Sequence, residues 1–338
     1  MTLVAGREIM EISKVMDQCI EKQTASIAEN VHCRRSELPY VLITPAHNEE
    51  ALIAQMIESV IVQTVLPEKW VIVDDGSTDS TAAIIKQYLP KHPWIKLIQV
   101  PPRQDRSFAA KVRAFNAGYE TVKDLNYEII GNLDADVSFE ENYLEFLVGK
   151  FSADPTLGVA GTVFNEEGYS SERNSFEGQN HVAGGCQLFR KRCFDEIRGF
   201  LPNEAGGVDW MAVTTARMMG WRTRSFREMS YFHHRHLGTA ERGAVSALFT
   251  YGERDYYLGG HPVWEVFRVV YKMTRPPYFI GGLGLGLGYL YAMLRRTKRP
   301  VSNELMAFHR REQMRKLKAI LKSLLTFKRI DSFKVLPD

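Results

Sequence analysis

Cysteine is scarce in this sequence: there are 4 among 338 residues, and no two of them form a Cys-x-x-Cys pair. So sparse a set excludes the dense disulfide framework of a small secreted protein and the clustered ligands of a structural zinc site. The N-terminal residues also lack the basic and then apolar order of a signal peptide. These absences predict reduced thiols in a cytosolic compartment and a protein that is not exported.

The sequence lacks a strong charge of either sign, because its formal net charge is +3 at pH 7. So small a charge predicts no nucleic-acid partner for the chain as a whole. Apolar residues make up 45% and charged residues 25%, which are ordinary values for a protein that buries a hydrophobic core. The length suits one large α/β domain with appendages, or two smaller domains.

Alternating strand-like and helix-like segments begin near residue 39. The segments YVLITPA, WVIVDD, IKLIQV and EIIGNLDAD are typical of strands, and amphipathic helical segments separate them. Repeated βα units of this length predict a mostly parallel, Rossmann-like sheet with helices on both faces. Ligands of such sheets bind beyond the carboxyl ends of the strands, so the polar residues there are the candidates for a functional site.

Acidic residues follow two of these strands. Asp134 and Asp136 are two residues apart, so both carboxylates point the same way on a strand and can share one cation. Carboxylate oxygens suit Mg or Mn, which keep coordination positions open for phosphate groups. A solvated turn is the alternative for so short a motif. Asp75, at the end of another strand, could accept a hydrogen bond from a base or a ribose.

Four segments over residues 40–136, TPAHNEE, VDDGSTD, AKVRAFNAG and LDADV, resemble the family-2 glycosyltransferases in order and separation. The nucleotide-binding half of that family has the GT-A fold. The resemblance implies that Asp75 contacts the base or ribose of a nucleotide-diphosphate sugar and that Asp134 contacts its ribose or the metal. It implies that Asp136 binds the divalent cation that bridges the diphosphate. The remaining donor-binding candidates are Pro45, Ala46, Asn48, Glu49 and Lys111, with a helix-terminal role as the alternative for Asn48 and Glu49 and a solvated helix lysine for Lys111.

The segment GGVDWMAVTTARMMGWR resembles the acceptor-side segment of the family, where an acidic pair opens a helix. This sequence departs from the pattern, because Val208 stands in the first position and Asp209 alone remains. The resemblance implies that Asp209 is the catalytic base, and the N-cap of the helix is its alternative role. The upstream Gly184 and Gly185 resemble the acceptor lining, where glycine lets the backbone approach a sugar closely. Trp210 is a further acceptor-binding candidate.

Three histidines lie in the segment YFHHRHLGT, at the distance where the family often supplies a ligand for the metal or the diphosphate. His233, His234 and His236 cannot be told apart by sequence, and His234 is our choice as the metal ligand. Arg235 is predicted to pair with a donor phosphate as a bidentate partner.

The C-terminal region is apolar and then basic. The run YFIGGLGLGLGYLYAML falls slightly short of the ~20 residues that span a bilayer, and tyrosines and arginines flank it. The segment from Met306 to Arg329 fits an amphipathic helix on an anionic membrane surface. A buried hairpin or core helix is the alternative for the glycine-rich run. We predict an interfacial or re-entrant region at the cytoplasmic face of the cell membrane.

These observations predict three regions: a helical extension at 1–38, a GT-A catalytic domain at 39–240 and a helical, membrane-associated region at 241–338. The catalytic domain divides into a nucleotide-sugar half at 39–137 and an acceptor half at 138–240. The expected function is inverting sugar transfer to a hydroxyl of a saccharide or lipid-linked acceptor, in polysaccharide or glycolipid synthesis. A non-catalytic sugar- or nucleotide-binding protein is one alternative. An aspartate-dependent phosphatase with Asp134 as its nucleophile is the other.

Overall fold

The computed structural model describes residues 38–101, 108–174, 178–203, 206–235 and 244–326, together with residues 331 and 333. Residues 1–37 of the predicted helical extension lie outside the described residues. The predicted boundary at 240/241 also lies outside them. The helical extension and the boundary between the catalytic domain and the C-terminal region therefore stay predictions.

One mixed sheet forms the centre of the described chain. Its strands are β1 Tyr40–Ala46, β2 Lys69–Asp75, β3 Ile95–Val100, β4 Ile129–Leu133, β5 Val137–Ser138, β6 Leu157–Glu166, β7 Tyr169–Ser170, β8 Cys186–Arg190 and β9 Arg222–His233. They lie in the order β3-β2-β1-β4-β8-β6-β9-β5, and β7 pairs with β6. The first four strands are parallel, as predicted. The other half is mixed, because β8 runs antiparallel to both of its neighbours and β5 runs antiparallel to β9.

Helices cover both faces of the sheet. Their bounds are α1 Ile53–Ile61, α2 Thr81–Tyr88, α3 Phe108–Tyr119, α4 Tyr143–Ala153, α5 Ser171–Asn174, α6 Lys191–Glu196, α7 Val208–Met218, α8 Ala244–Tyr257, α9 Pro262–Met273, α10 Ile280–Leu294 and α11 Asn303–Leu325. Alternate residues of the buried strands pack into two separate hydrophobic cores, because successive side chains of a strand point to opposite faces of the sheet. Tyr40 and Leu42 join the core with α1 and α4, whereas Val41 and Ile43 join the core with α3, α6 and α7.

The glycine-rich run forms α10, which crosses α8 with the two backbones in contact. A Cβ added at Gly252 would collide with the carbonyl oxygen of Leu285, and one at Gly288 would collide with that of Phe249. Gly282 and Gly286 of the same helix face Val269 of α9. Glycine, a poor helix former in water, is tolerated here because it allows this close packing.

Replacing Gly252 by alanine should destabilise the protein by about 1–3 kcal/mol, because the new methyl group must push the two helices apart. Gly149 provides the matched control. It lies in the exposed part of α4, and a Cβ there meets nothing within 4 Å. Gly149→Ala should therefore stabilise by roughly 0.5–1 kcal/mol. Denaturant unfolding of both variants checks the pair, and equal stability for the two would contradict the close crossing.

Helix α11 packs on the α/β domain through its first half. Arg217 of α7 pairs with Glu312 at 2.9 Å between Nε and Oε1, and the rings of Trp210 and His309 meet edge-on with centroids 4.5 Å apart. Leu305 and Leu317 are buried. This half of the predicted membrane-lying tail is therefore covered by protein, and the leucines exposed near the helix end are Leu321, Leu324 and Leu325. Among the helices described, not one combines the length and the apolar character needed to cross a bilayer.

Candidate active site

The two carboxylates Asp134 and Asp136 follow strand β4, at the carboxyl edge of the sheet. The backbone N–H of Asp134 donates to the carbonyl of Gly185 at 2.9 Å. The side chain of Asn132 donates to the carbonyl of Gly184 at 2.8 Å. These bonds extend the antiparallel pairing of β4 with β8, so they fix the two acids beside the glycines that were predicted to line the acceptor.

Lys111 reaches this edge from α3 and forms an ion pair with Asp134, with 2.6 Å between Nζ and Oδ1. Burial alone would lower the pKa of Lys111. The contact with Asp134 and the charges of Asp209 and Asp136 outweigh burial and raise that pKa. Lys111 therefore stays protonated and compensates part of the negative charge at the site.

Asp134, Asp136 and His233 form a group that could hold a metal ion, because one ligand atom from each lies within 4.8 Å of the others. His233 Nε2 lies 3.5 Å from Asp136 Oδ1. Burial and the charge of Asp134 raise the pKa of Asp136, so the protein alone does not fully compensate this carboxylate. Two carboxylate oxygens and an imidazole nitrogen fit a divalent cation of the Mn or Mg type.

The structure groups His233 with the carboxylates and not His234, which the sequence argument chose. Strand β9 ends at His233, and its pairing with β5 sets Val137 opposite that residue, next to Asp136. The Nε2 atom of His234 lies 2.7 Å from Ser138 Oγ instead. Of the two histidines that the structure describes here, the geometry therefore favours His233 over His234, and His236 lies outside the described residues.

Glu166 completes this arrangement, and the sequence argument did not single it out. Its Oε1 lies 3.3 Å from His233 Nδ1, and its side chain is buried. Glu166 ends strand β6, whose parallel pairing with β9 brings the ends of both strands together. His233 Nδ1 makes no hydrogen bond to the residues that the structure describes, but Glu166 lies where a carboxylate usually orients a histidine ligand. The one sequence feature that could have identified Glu166 was its position at the end of a predicted strand, and no motif accompanied it.

Arg235 connects the acidic cluster to the loop after β1. Its Nη2 lies 2.6 Å from Glu49 Oε2, and its Nε lies 3.9 Å from Asp136 Oδ2. Asn48, in the same loop, accepts a hydrogen bond from the N–H of Thr78 at 2.8 Å and adopts a φ of 54°. Asn48 thus ties the loops after β1 and β2 together, and Glu49 holds Arg235. Their predicted contacts with a donor stay predictions.

Asp75 ends β2, two strands away from β4 across β1. Since neighbouring strands are about 4.8 Å apart, this separation is about 10 Å. Pro45 and Ala46 lie between them on β1, paired with Val73 and Asp74, and both are buried. The three predicted donor positions therefore share one edge with Asp134.

Asp209 lies in the first turn of α7 and does not cap it. The N-cap is Gly207, whose φ of 75° suits glycine. A Cβ added at Gly184 would lie 2.9 Å from Asp209 Oδ2, so the carboxylate rests against that glycine. Asp134 hydrogen-bonds to the adjacent Gly185, and the charges of Asp134, Asp209 and Asp136 all act on Lys111, so the structure brings the three carboxylates together.

The other acceptor candidates, Gly185 and Trp210, have different surroundings. Gly185 faces the hydroxyl of Tyr231, which a Cβ at that position would approach to 2.6 Å. Trp210 is buried and packs with Met211 and Leu258, on the side of the C-terminal helices. Its side chain thus supports the helix that carries Asp209, and its predicted acceptor contact stays a prediction.

The sequence profile of Glycosyl transferase family 2 matches residues 41–213, just over half of the chain. The chain belongs to family 2 of the glycosyltransferases. The matched segment of this glycosyltransferase contains Asp75, Asp134, Asp136 and Asp209, and it ends before His233. Sugar transfer is the reaction of the family, so the predicted class of glycosyltransferase is confirmed, and its metal dependence stays a prediction.

Two curated relatives illustrate how far the likeness of this glycosyltransferase extends. The dodecaprenyl-phosphate galacturonate synthase of Rhizobium johnstonii is 24% identical over 279 residues, which are 75% of this chain and 73% of that protein. The chondroitin synthase of Pasteurella multocida is 27% identical over 157 residues, which are 46% of this chain. The aligned part is 14% of the chondroitin synthase, so the activity of that whole protein does not transfer to this chain.

Solved structures confirm the fold of the glycosyltransferase. The mannosyltransferase PcManGT of Pyrobaculum calidifontis, in complex with GDP-Man and Mn²⁺, covers 90% of each chain with a TM-score of 0.51. At 17% identity this likeness shows the fold alone. The predicted GT-A architecture is therefore confirmed, and the membrane association of its helical C-terminal region stays a prediction.

Proposed function

We propose that this glycosyltransferase moves a sugar from a nucleotide-diphosphate donor to a hydroxyl group, with a divalent cation as its cofactor. One observation carries the proposal: Asp209 contacts Gly184, and the neighbouring Gly185 is hydrogen-bonded to Asp134, which belongs to the group of Asp134, Asp136 and His233. A cation site and a separate carboxylate are the two elements that displacement of a diphosphate by a hydroxyl requires.

The donor would lie along the carboxyl edge between Asp75 and Asp134. Asp75 would accept a hydrogen bond from the base or ribose, and Lys111 would limit repulsion between Asp134 and the phosphates. A divalent cation, bound by Asp134, Asp136 and His233, would neutralise the charge that develops on the leaving diphosphate. Arg235, held by Glu49 beside Asp136, is a guanidinium placed to pair with a phosphate.

Asp209 would accept the proton of the acceptor hydroxyl while that oxygen bonds to the anomeric carbon of the sugar. The bond from this carbon to the phosphate oxygen breaks, and the diphosphate leaves with the electron pair. We propose inversion at the anomeric carbon, because attack opposite the leaving group needs only one carboxylate, and Asp209 beside Gly184 can supply it.

A saccharide or lipid-linked acceptor fits the surroundings of Asp209. Gly207, which begins the helix of Asp209, packs against Leu258 at the end of the C-terminal α8 segment. The Rhizobium johnstonii relative is named a dodecaprenyl-phosphate galacturonate synthase, which supports a lipid acceptor for the present chain. The family match gives no support to the phosphatase alternative with Asp134 as nucleophile.

A panel of nucleotide sugars tests the proposed function. We expect one or more UDP- or GDP-sugars to raise the melting temperature by several degrees when Mn²⁺ is present, because a ligand that binds the folded state stabilises it. Slow hydrolysis of the same donor should accompany the shift. Nucleoside monophosphates serve as the control. The proposal fails if no nucleotide sugar stabilises or is consumed by the protein with either Mn²⁺ or Mg²⁺.

A further inference from the structure

Helix α10 leaves an apolar stripe exposed on the side away from its helix partners. The stripe consists of Ile280, Leu283, Leu287, Leu290 and Leu294, which recur at helical spacing and are 48% to 80% exposed. Tyr278 and Phe279 extend it at the N-terminal end, with exposed fractions of 62% and 73%. We refer to these seven residues as the α10 stripe. A contiguous apolar surface of this kind indicates an interaction site.

The α10 stripe is held in a fixed orientation by the opposite face of the helix. Gly288 contacts the backbone of α8, and Gly282 contacts the backbone of α9. Leu285 and Tyr289 are buried on that side. Rotating the helix to hide the stripe would expose these residues and place leucines against neighbouring backbone. The stripe is therefore a permanent surface feature of the described structure.

Positive charge flanks the α10 stripe at both ends. No Asp or Glu occurs between Glu265 and Glu304 in the sequence. Arg275 precedes the stripe, and Arg295, Arg296 and Lys298 follow it, all exposed. An apolar strip between cationic ends matches the two layers of an anionic membrane surface, namely the acyl boundary and the headgroups. Binding to a protein partner would give no reason for a segment of this length to carry basic residues and no acidic residue.

We propose that the α10 stripe docks the C-terminal helices onto an anionic bilayer surface, with α10 lying in the plane of the membrane. Its 15 residues are about 22 Å long, and cations at both ends can reach headgroups of the same leaflet. Helix α9 adds a second exposed row, consisting of Val263, Val266 and Val270. This surface goes beyond the proposed reaction, and it needs neither a donor nor a cation.

The C-terminal helices are attached to the helix that carries Asp209. Leu258, at the start of the turn between α8 and α9, packs on Gly207, and Gly259 packs on Met306 of α11. The backbone carbonyl of Gly259 also accepts a hydrogen bond from Arg310 Nε at 2.9 Å. The C-terminal helices and the helix of Asp209 therefore share direct contacts, so docking of the stripe would fix the orientation of that helix relative to the membrane.

Vesicle flotation of the full chain tests the docking proposal. We expect binding to phosphatidylcholine vesicles that contain phosphatidylglycerol, and weak binding to phosphatidylcholine alone. The double variant Leu283→Asn/Leu287→Asn should bind about tenfold or more weakly, because both leucines lose their transfer into the apolar layer. Leu125→Asn is the matched control: Leu125 is 44% exposed in the α/β domain, and this variant should bind as the unaltered protein does.

Three results would overturn the proposal: no flotation with anionic vesicles, equal flotation of the double variant, or equal loss in Leu125→Asn. Light scattering can give a fourth such result. If the unaltered protein is a dimer and the double variant is a monomer, a second copy of the chain covers the α10 stripe. The double variant should retain stabilisation by nucleotide sugars, and Asp209→Asn should float normally. Failure of docking is thereby distinguished from failure of the proposed function.

Discussion

Replacing Asp209 by asparagine should lower the rate of sugar transfer by ~10²–10⁴-fold, the usual contribution of a well-placed general base. Asparagine keeps the shape of the side chain against Gly184 but cannot accept the proton of the acceptor hydroxyl. Donor affinity should change little, because the proposed cation ligands are other residues. Initial rates at saturating donor, together with a calorimetric titration of the donor, measure the two effects separately.

Asp124→Asn is the control for this experiment, since Asp124 is an exposed aspartate in the α/β domain away from the carboxyl edge. That variant should keep the full rate. An equal loss of donor affinity and rate in Asp209→Asn would assign the residue to donor binding and exclude it as the base. An unchanged rate would place the base elsewhere.

Replacing Asp136 by asparagine should remove most of the affinity for Mn²⁺ and lower sugar transfer at least about a thousandfold. Asp136 is buried beside Asp134 and His233, so its carboxylate would provide both charge and an oxygen ligand. Changes to residues that merely orient a metal ligand typically cost 10–100-fold in affinity, so losing a ligand should cost about a hundredfold or more. Electron paramagnetic resonance of free Mn²⁺ measures the affinity without relying on activity.

The two neighbouring histidines provide a matched comparison for the metal site. His233→Ala should weaken Mn²⁺ binding, because His233 lies 3.5 Å from the carboxylate of Asp136. His234→Ala should leave it nearly unchanged, because the ring of His234 contacts Ser138. The reverse order would restore His234 as the ligand. Retained Mn²⁺ affinity in Asp136→Asn and His233→Ala would exclude this cluster as the cation site.

The sequence allowed the carboxyl edge of the sheet to be predicted, because strand period and turn chemistry are local properties. Asp75 and Asp134 each end a strand, and parallel pairing of β2, β1 and β4 then places them on one edge. The mixed half of the sheet was harder to predict. The order of β8, β6 and β9 depends on long-range pairing that no local pattern encodes.

The choice between His233 and His234 depended on the register in which β9 pairs with β5. A shift of one residue turns every side chain of a strand to the other face, and the sequence does not state where β9 pairs with β5. The contacts of His233 with Glu166 and of Arg235 with Glu49 join strand ends that are distant in sequence. Proximity of this type becomes visible only once the strand order is known.

In the C-terminal region, the sequence likewise predicted a helix but not the residues that pack against it. Helical spacing in the basic tail predicted an amphipathic helix, and α11 has that character. Periodicity identifies an apolar face but does not say what covers it. In the structure, the α/β domain contacts the first half of α11 through the pair of Arg217 with Glu312 and the rings of Trp210 and His309.

The part of the chain that matches the family profile is shorter than the part that contains the candidate active site and the helices packed on it. It stops at residue 213, inside α7, so a chain cut there would divide the helix that carries Asp209. Such a fragment would lack His233 and Arg235, and it would bare the surface of Trp210 that α11 now shields. Minimal versions of this enzyme should therefore keep the chain through the end of α11 at Leu325.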